Sequence, residues 1–244
     1  MMKAFIVAEI ASNWEGSISK ARKLILNCKN AGANAVKFQI WRAEDLYEKD
    51  HPEWRNIVKS ELSFKKIKIL KTYCDSVEIE FFASVFYPEA VDFLESIKVK
   101  RYKIASRTCT LKDPYSIETI EKIGTTKKHT IISMGMGGNK KFIKQKIIKN
   151  KEQFCYCISK YPTKITEINW KDAITYDGFS DHTLGSTAPL IFTLLHKQKG
   201  TKNIFIEKHV KNKNSKGPGA SSSMTTEEFK EMISIIRNIE KLSV

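Results

Sequence analysis

The sequence predicts an α/β protein, a closed (β/α)8 TIM barrel folded as a single domain over residues 1–244. Three observations predict it. Short runs rich in β-branched and aromatic residues recur eight times, each is followed by a segment of helical period, and no linker, repeat or low-complexity tract divides the chain. Strands that alternate with helices pair in parallel, and eight such units close a barrel more naturally than they extend an open sheet. A chain of this length buries one full core.

The first strand is "AFIVAEI" (4–10). Its helix is "SISKARKLILNCKNAG", where Ala21, Leu24, Ile25 and Cys28 share one face and Gly32 offers a C-terminal cap. "AVKFQI" (35–40) is the second strand. The stretch "WRAEDLYEKDHPEWRNIVKSEL" (41–62) after it is too long for an ordinary connection, so it reads as a lid or substrate loop with its own short helix. "IEFFASV" (79–85) leads into the helix "YPEAVDFLESI", and "RYKIAS" (101–106), "HTIISMG" (129–135) and "QFCYCIS" (153–159) follow as strands. A helix near 166–174 and the seventh strand "YDGFSDHT" (176–183) carry the faintest signals. "STAPLIFTLLHKQKG" is helical, "IFIEKHV" (204–210) is the eighth strand, and "TTEEFKEMISIIRNIEKL" closes the chain. That last helix opens on a threonine cap and an acidic turn and ends basic, as the helix dipole favours.

Composition narrows the function. With 42 Lys+Arg against 27 Asp+Glu the net charge is +15, but the lysines are spread over helices with few aromatics or arginines between them. That pattern does not make a nucleic-acid stripe. The positive field suits a small phosphorylated substrate instead. Five cysteines, Cys28, Cys74, Cys109, Cys155 and Cys157, match no zinc spacing and read as reduced core thiols of a cytoplasmic protein. The apolar start is interrupted by Glu9 and falls far short of the roughly 20 residues a membrane span needs, so neither a leader nor a membrane partner is expected.

In a barrel of this type the chemistry gathers where the strands end. Every expected strand end here is polar: Glu9, Ser12 and Asn13; Lys37 and Gln39; Ser84; Lys103, Ser106, Arg107 and Thr108; Ser133; Ser159 and Tyr161; Ser180, Asp181 and His182; Glu207, Lys208 and His209. Packing alone does not demand this. Taken singly, His182 or His209 would pass for a hydrogen-bonded loop residue, but matched places on neighbouring strands suit a divalent ion used as a Lewis acid. Glu9, on the strand beside the eighth, could add a carboxylate or orient a metal-bound water. Lys37 and Lys103 lie inside apolar strands, where a charge must be paired or face a wet pocket. With Ser84, Ser106, Ser133, Ser159 and Ser180 around them, two cations ringed by hydroxyls suit a phosphate group.

These residues resemble the sialic acid synthase (N-acetylneuraminate synthase) family over essentially the whole chain. "AEIASNWEGSISKARKLI" is similar to the family's AEIGxNHNGxxxxAxxLI, and "AGANAVKFQIWRAEDLY" to AGADAVKFQTFxAEDL. "YKIAS", "ISMGM", "CISKYPT", "GFSDHTLG" and "IEKHV" resemble further family motifs in the family's order. The resemblance implies condensation of phosphoenolpyruvate with an N-acylamino sugar aldehyde to a nonulosonic acid and phosphate. His182 and His209 would bind a divalent ion, manganese first, with magnesium or cobalt as alternatives. Phosphoenolpyruvate would be held by Lys37, Lys103, Ser106, Ser133 and Ser180, with Ser84 where the family often has threonine. Glu9, Gln39 and Tyr161 would line the pocket beside Ser159. C3 of phosphoenolpyruvate would attack the aldehyde, water would add to the resulting oxocarbenium carbon, and phosphate would leave. A homodimer is also implied.

Departures concentrate on the sugar side. Arg107 and Thr108 stand where the family has glycine and an acid, so Arg107 is a candidate for a substrate anion; Trp14 replaces a histidine, Tyr156 another, and the turn "GPGASS" brings Gly219 and Ala220 in place of an acid and a histidine. The small C-terminal antifreeze-like domain that family members commonly carry is not expected. Two other readings stay open: a retired barrel that binds a ligand or partner, and a Schiff-base aldolase using Lys37 or Lys103.

Overall fold

A computed structural model describes residues 2–217 and 219–243. The eight units are all present. They run β1 (Lys3–Glu9), α1 (Ile18–Asn30), β2 (Ala35–Ile40), α2 (Ala43–Leu46), α3 (Trp54–Lys59), α4 (Phe64–Ser76), β3 (Glu80–Val85), α5 (Pro88–Ser96), β4 (Arg101–Ile104), α6 (Ser116–Thr125), β5 (His129–Ser133), α7 (Lys140–Lys146), β6 (Glu152–Cys157), α8 (Trp170–Ala173), β7 (Gly178–Asp181), α9 (Thr187–Gln198), β8 (Asn203–Lys211), β9 (Met224–Thr225) and α10 (Thr226–Ile239). β1 to β8 pair in chain order, all parallel, and β8 returns to β1 through the register Lys3↔Asn203 to Glu9↔His209. The barrel is closed.

Local chemistry sets the element ends. Ser17 accepts from the Lys20 amide at the start of α1, and Gly32 takes φ +94° just past its end, the left-handed conformation a glycine adopts without strain. Thr225 and Glu228 form a reciprocal capping box on α10. The apolar face of that helix, Phe229, Met232, Ile233 and Ile236, packs into the layer between sheet and helices.

Four strands stop two residues before the sequence suggests: β4 at Ile104, β5 at Ser133, β6 at Cys157 and β7 at Asp181. Their last polar residues belong to loops that curl over the mouth. The eighth strand runs longer than expected because β9, which the sequence does not reveal, pairs with it at Val210↔Met224 and Lys211↔Thr225. The 41–62 stretch carries two short helices, α2 and α3, in place of one. The faint helix near 166–174 is a 3-10 turn, Ile165–Glu167, followed by the single turn of α8.

Candidate active site

A strand turns alternate side chains to opposite faces, so one set from each strand fills the barrel interior in tiers. Val7, Ala35, Phe82, Ile131, Cys155 and Phe205 form an apolar plug across its middle. One step nearer the strand ends come Glu9, Lys37, Ser84, Lys103, Ser133, Cys157, Ser180 and Glu207. The registers Glu9↔Lys37, Ser84↔Lys103, Cys157↔Ser180 and Ser180↔Glu207 set these side by side. They floor a cavity of about 330 Å³ at the C-terminal mouth, with Gln39, Ser106, Arg107, Ser159, Tyr161, His182 and His209 on its walls. Every residue given a substrate- or ion-binding role in the sequence reading lines this cavity.

The floor is a charged network. Lys37 touches the Glu9 carboxylate, donates to Ser84 Oγ at 3.0 Å and lies 3.6 Å from Glu207 Oε2. Lys103 donates to both Glu207 oxygens at 2.9 and 3.0 Å, and Ser180 Oγ donates to Oε1 at 2.8 Å. All four charged groups are buried. Two ammonium groups against two carboxylates cancel, which is what allows burial. Burial by itself would raise the Glu207 pKa, but Lys103 and Lys37 outweigh it and hold the carboxyl down at about 2. Glu9 keeps less cationic support, and burial, the largest influence, leaves its pKa raised. For Lys103, burial pulls the pKa down and Glu207 more than reverses it. A Schiff-base lysine needs the opposite shift. Ser133 Oγ is buried without a partner, so a hydroxyl and the spare ammonium protons remain for an anion above the floor.

The two imidazoles stand together at the mouth. Their centroids are 5.3 Å apart, and the Tyr161 ring lies 4.1 Å from His182 and 5.8 Å from His209. His182 Nδ1 is 2.6 Å from the Ile158 carbonyl. A carbonyl only accepts, so Nδ1 carries the proton and Nε2 keeps a lone pair. His209 Nδ1 is buried with no partner, and burial, the chief cause, holds its pKa well below the usual histidine value, which keeps the ring neutral. For His182 burial also pulls downward, but Cys157 Sγ at 4.0 Å and the Ile158 carbonyl raise it overall. An orphaned nitrogen beside a ring whose tautomer is set fits a divalent ion.

Two of these residues have protein partners the sequence did not foresee. Glu9 does not reach the histidines: Oε1 accepts from the Ala11 amide at 2.8 Å and the other oxygen meets Lys37. A buried ammonium beside it is the stronger attraction. Arg107 lines the cavity, yet its Nε donates to Asp113 at 2.7 Å and its Nη2 to the Leu46 carbonyl at 2.6 Å, while the guanidinium lies over Tyr47. It ties α2 to the loop after β4. Thr108 is buried outside the cavity with its hydroxyl unpartnered.

Sequence reasoning gave Glu207 no role, although the signal applied to the lysines, a charge inside an apolar strand, marks it equally. It also overlooked Cys157 and the apolar wall of Trp41, Leu46, Tyr47, Phe86, Ala105 and Met136. The wall comes mostly from the 41–62 stretch and the loops beyond β3 and β5, whose approach to the mouth only tertiary structure reveals.

Comparison with known proteins follows the same lines. The model of the NeuB family matches residues 24–243. The N,N'-diacetyllegionaminic acid synthase of Legionella pneumophila is 30% identical over 98% of this chain and 73% of its own. The N-acetylneuraminate-9-phosphate synthase of Homo sapiens is 27% identical over 97% of this chain and 70% of its own. In fold, the crystal structure of the N-acetylneuraminic acid synthetase from Leptospira borgpetersenii superposes with a TM-score of 0.83 at 24% identity, covering 97% of this chain and 84% of that one.

Proposed function

The chain is an enzyme of the NeuB family, and from that membership we propose that it condenses phosphoenolpyruvate with an N-acylamino sugar, or a related sugar aldehyde, to give a nonulosonic acid and phosphate. The observation that carries this reading is the convergence of Lys37 and Lys103 on Glu207 at the floor of one cavity whose walls carry His182 and His209. Lys37, Lys103 and Ser133 hold the phosphate and carboxylate of the three-carbon substrate. Glu207 stays ionised and keeps both ammonium groups aimed upward, a preorganised field of the kind that lowers barriers most. His182 and His209 would hold a divalent cation, manganese, magnesium or cobalt, which when bound supplies Lewis acidity at the acceptor aldehyde. Tyr161 and the wall of Trp41, Leu46 and Tyr47 cover the acceptor and keep bulk water out.

Phosphate release from phosphoenolpyruvate tests the reading, measured with manganese and a panel of acylamino sugars. Release that requires both an acceptor and the ion, and stops with EDTA, is the expected result. Phosphoenolpyruvate binding with every acceptor silent would favour a retired, ligand-binding barrel, for which Thr108, buried at the position where the resemblance implies an acid, is the supporting observation. Covalent trapping of substrate by borohydride would favour a Schiff-base aldolase; the raised pKa of Lys103 argues against that role for Lys103.

A further inference from the structure

Just behind the two imidazoles, on the outward face of the sheet, lies a second buried ion pair. Lys208 is fully buried and its Nζ donates to Asp181 Oδ2 at 2.5 Å and to the Thr183 carbonyl at 2.5 Å. Asp181 is itself buried; its Oδ1 accepts from the Thr183 amide at 2.9 Å and its Oδ2 from the Thr183 hydroxyl at 3.0 Å. Neither side chain lines the cavity.

The placement is specific. Asp181 is the last residue of β7 and pairs with Lys208 across the ladder, so His182 already lies beyond the strand. One ammonium group holds the residue on each side of His182 and belongs to the residue immediately before His209. From the loop after β6, the Thr163 amide donates to the His182 carbonyl at 2.9 Å and the Ile158 carbonyl takes Nδ1 at 2.6 Å. An apolar pair in the same layer would stabilise the fold as well or better, since buried ion pairs are weak contributors to stability. Their value lies in a fixed geometry.

We propose that Lys208 and Asp181 are positioning residues that hold His182 and His209 at the mutual spacing a divalent cation requires, and so set cation affinity without touching the cation or the organic substrates. This rests on the reading that the two histidines hold the cation.

The test uses manganese itself as the probe, titrated calorimetrically into the full chain without substrates, beside phosphoenolpyruvate titrated into metal-free protein and a thermal melt. Asp181→Asn with Lys208→Met removes both charges together, so no buried charge is left unpaired. The expected result is a folded variant whose manganese Kd rises about 10- to 100-fold, the range seen when the partners behind a ligating histidine are lost, with the phosphoenolpyruvate Kd within about twofold. Thr183→Val, which removes only one hydroxyl from the Asp181 carboxylate, serves if the double variant does not fold; loss of one such bond should raise the manganese Kd about threefold. A folded variant with unchanged manganese affinity overturns the proposal, and so does equal loss of manganese and phosphoenolpyruvate binding, which a general structural role would cause. Wild-type protein that takes up no manganese overturns the cation reading itself, before any variant is made.

Discussion

Lys103 reaches Glu207 with two of its three ammonium protons, and Glu207 in turn holds Ser180 and faces Lys37. Removing one side of such a pair leaves the other charge buried and short of partners. Lys103→Met should therefore lower unfolding stability by about 3–5 kcal/mol. Adding Glu207→Leu should restore most of the loss, because two apolar groups need no pairing. Urea denaturation of both variants decides the point; a double variant as weak as the single one would show that Glu207 is not the cause. In the single variant, phosphoenolpyruvate affinity should also fall by roughly tenfold to a hundredfold, the worth of a hydrogen bond to a charged group.

At the scale of elements, the N-terminal end of the barrel differs from the mouth. There Arg101, opening β4, pairs with Glu80 at 2.5 Å, lies over the Phe5 ring and donates from Nη1 to His129 Nδ1 at 3.3 Å across the β4–β5 ladder. Burial, then Arg101 and Lys151, push the His129 pKa down to about 4. The folded protein thus keeps His129 neutral while the unfolded chain takes up a proton near pH 6.5. The stability this contributes is complete above pH 6.5 and drains away as the pH falls toward 4. His129→Gln should lose less stability than the parent between pH 7 and pH 5, and urea midpoints at both pH values measure it. Parallel losses would show that another group governs the acid limb. The elements themselves were largely legible: α1 and α10 announce themselves by period and caps, α5 and α9 by period, and β1, β2 and β3 by apolar runs. The ends of β4 to β7 were not, because apolar or β-branched residues such as Met134, Ile158 and Thr183 continue the strand pattern by type and leave it only where loops must fold over the mouth. β9 has two residues and exists through Val210 and Lys211 alone.

For the whole molecule, eight alternating units were enough to read a closed barrel, and the adjacency of the seventh and eighth strands made His182 and His209 neighbours on paper. Glu9 and Arg107 line the cavity as expected, but their protein partners, Lys37 and Asp113, were not foreseen, since pairing depends on side-chain reach across strands that a linear sequence does not order. The net charge of +15 acquires a different meaning beside the structure. Inside the cavity the two lysines are balanced by Glu9 and Glu207, and Arg107 by Asp113, so the site holds little unspent positive charge of its own. Attraction of a small anion from a distance must come from the lysines spread over the outside. Such a field acts through solvent and is screened beyond about 10 Å at 0.1 M salt and about 3 Å at 1 M. kcat/KM for phosphoenolpyruvate should accordingly fall by about tenfold as sodium chloride is raised across that range, the low end of electrostatic steering effects. kcat at saturating substrate should hold nearly constant, because the ion pairs of the floor are buried where salt does not reach. Steady-state rates at several salt concentrations, with potassium chloride as a check on ion identity, measure both quantities. A flat kcat/KM would mean that the exterior lysines play no part in capture and that the anion is gathered by the cavity floor alone.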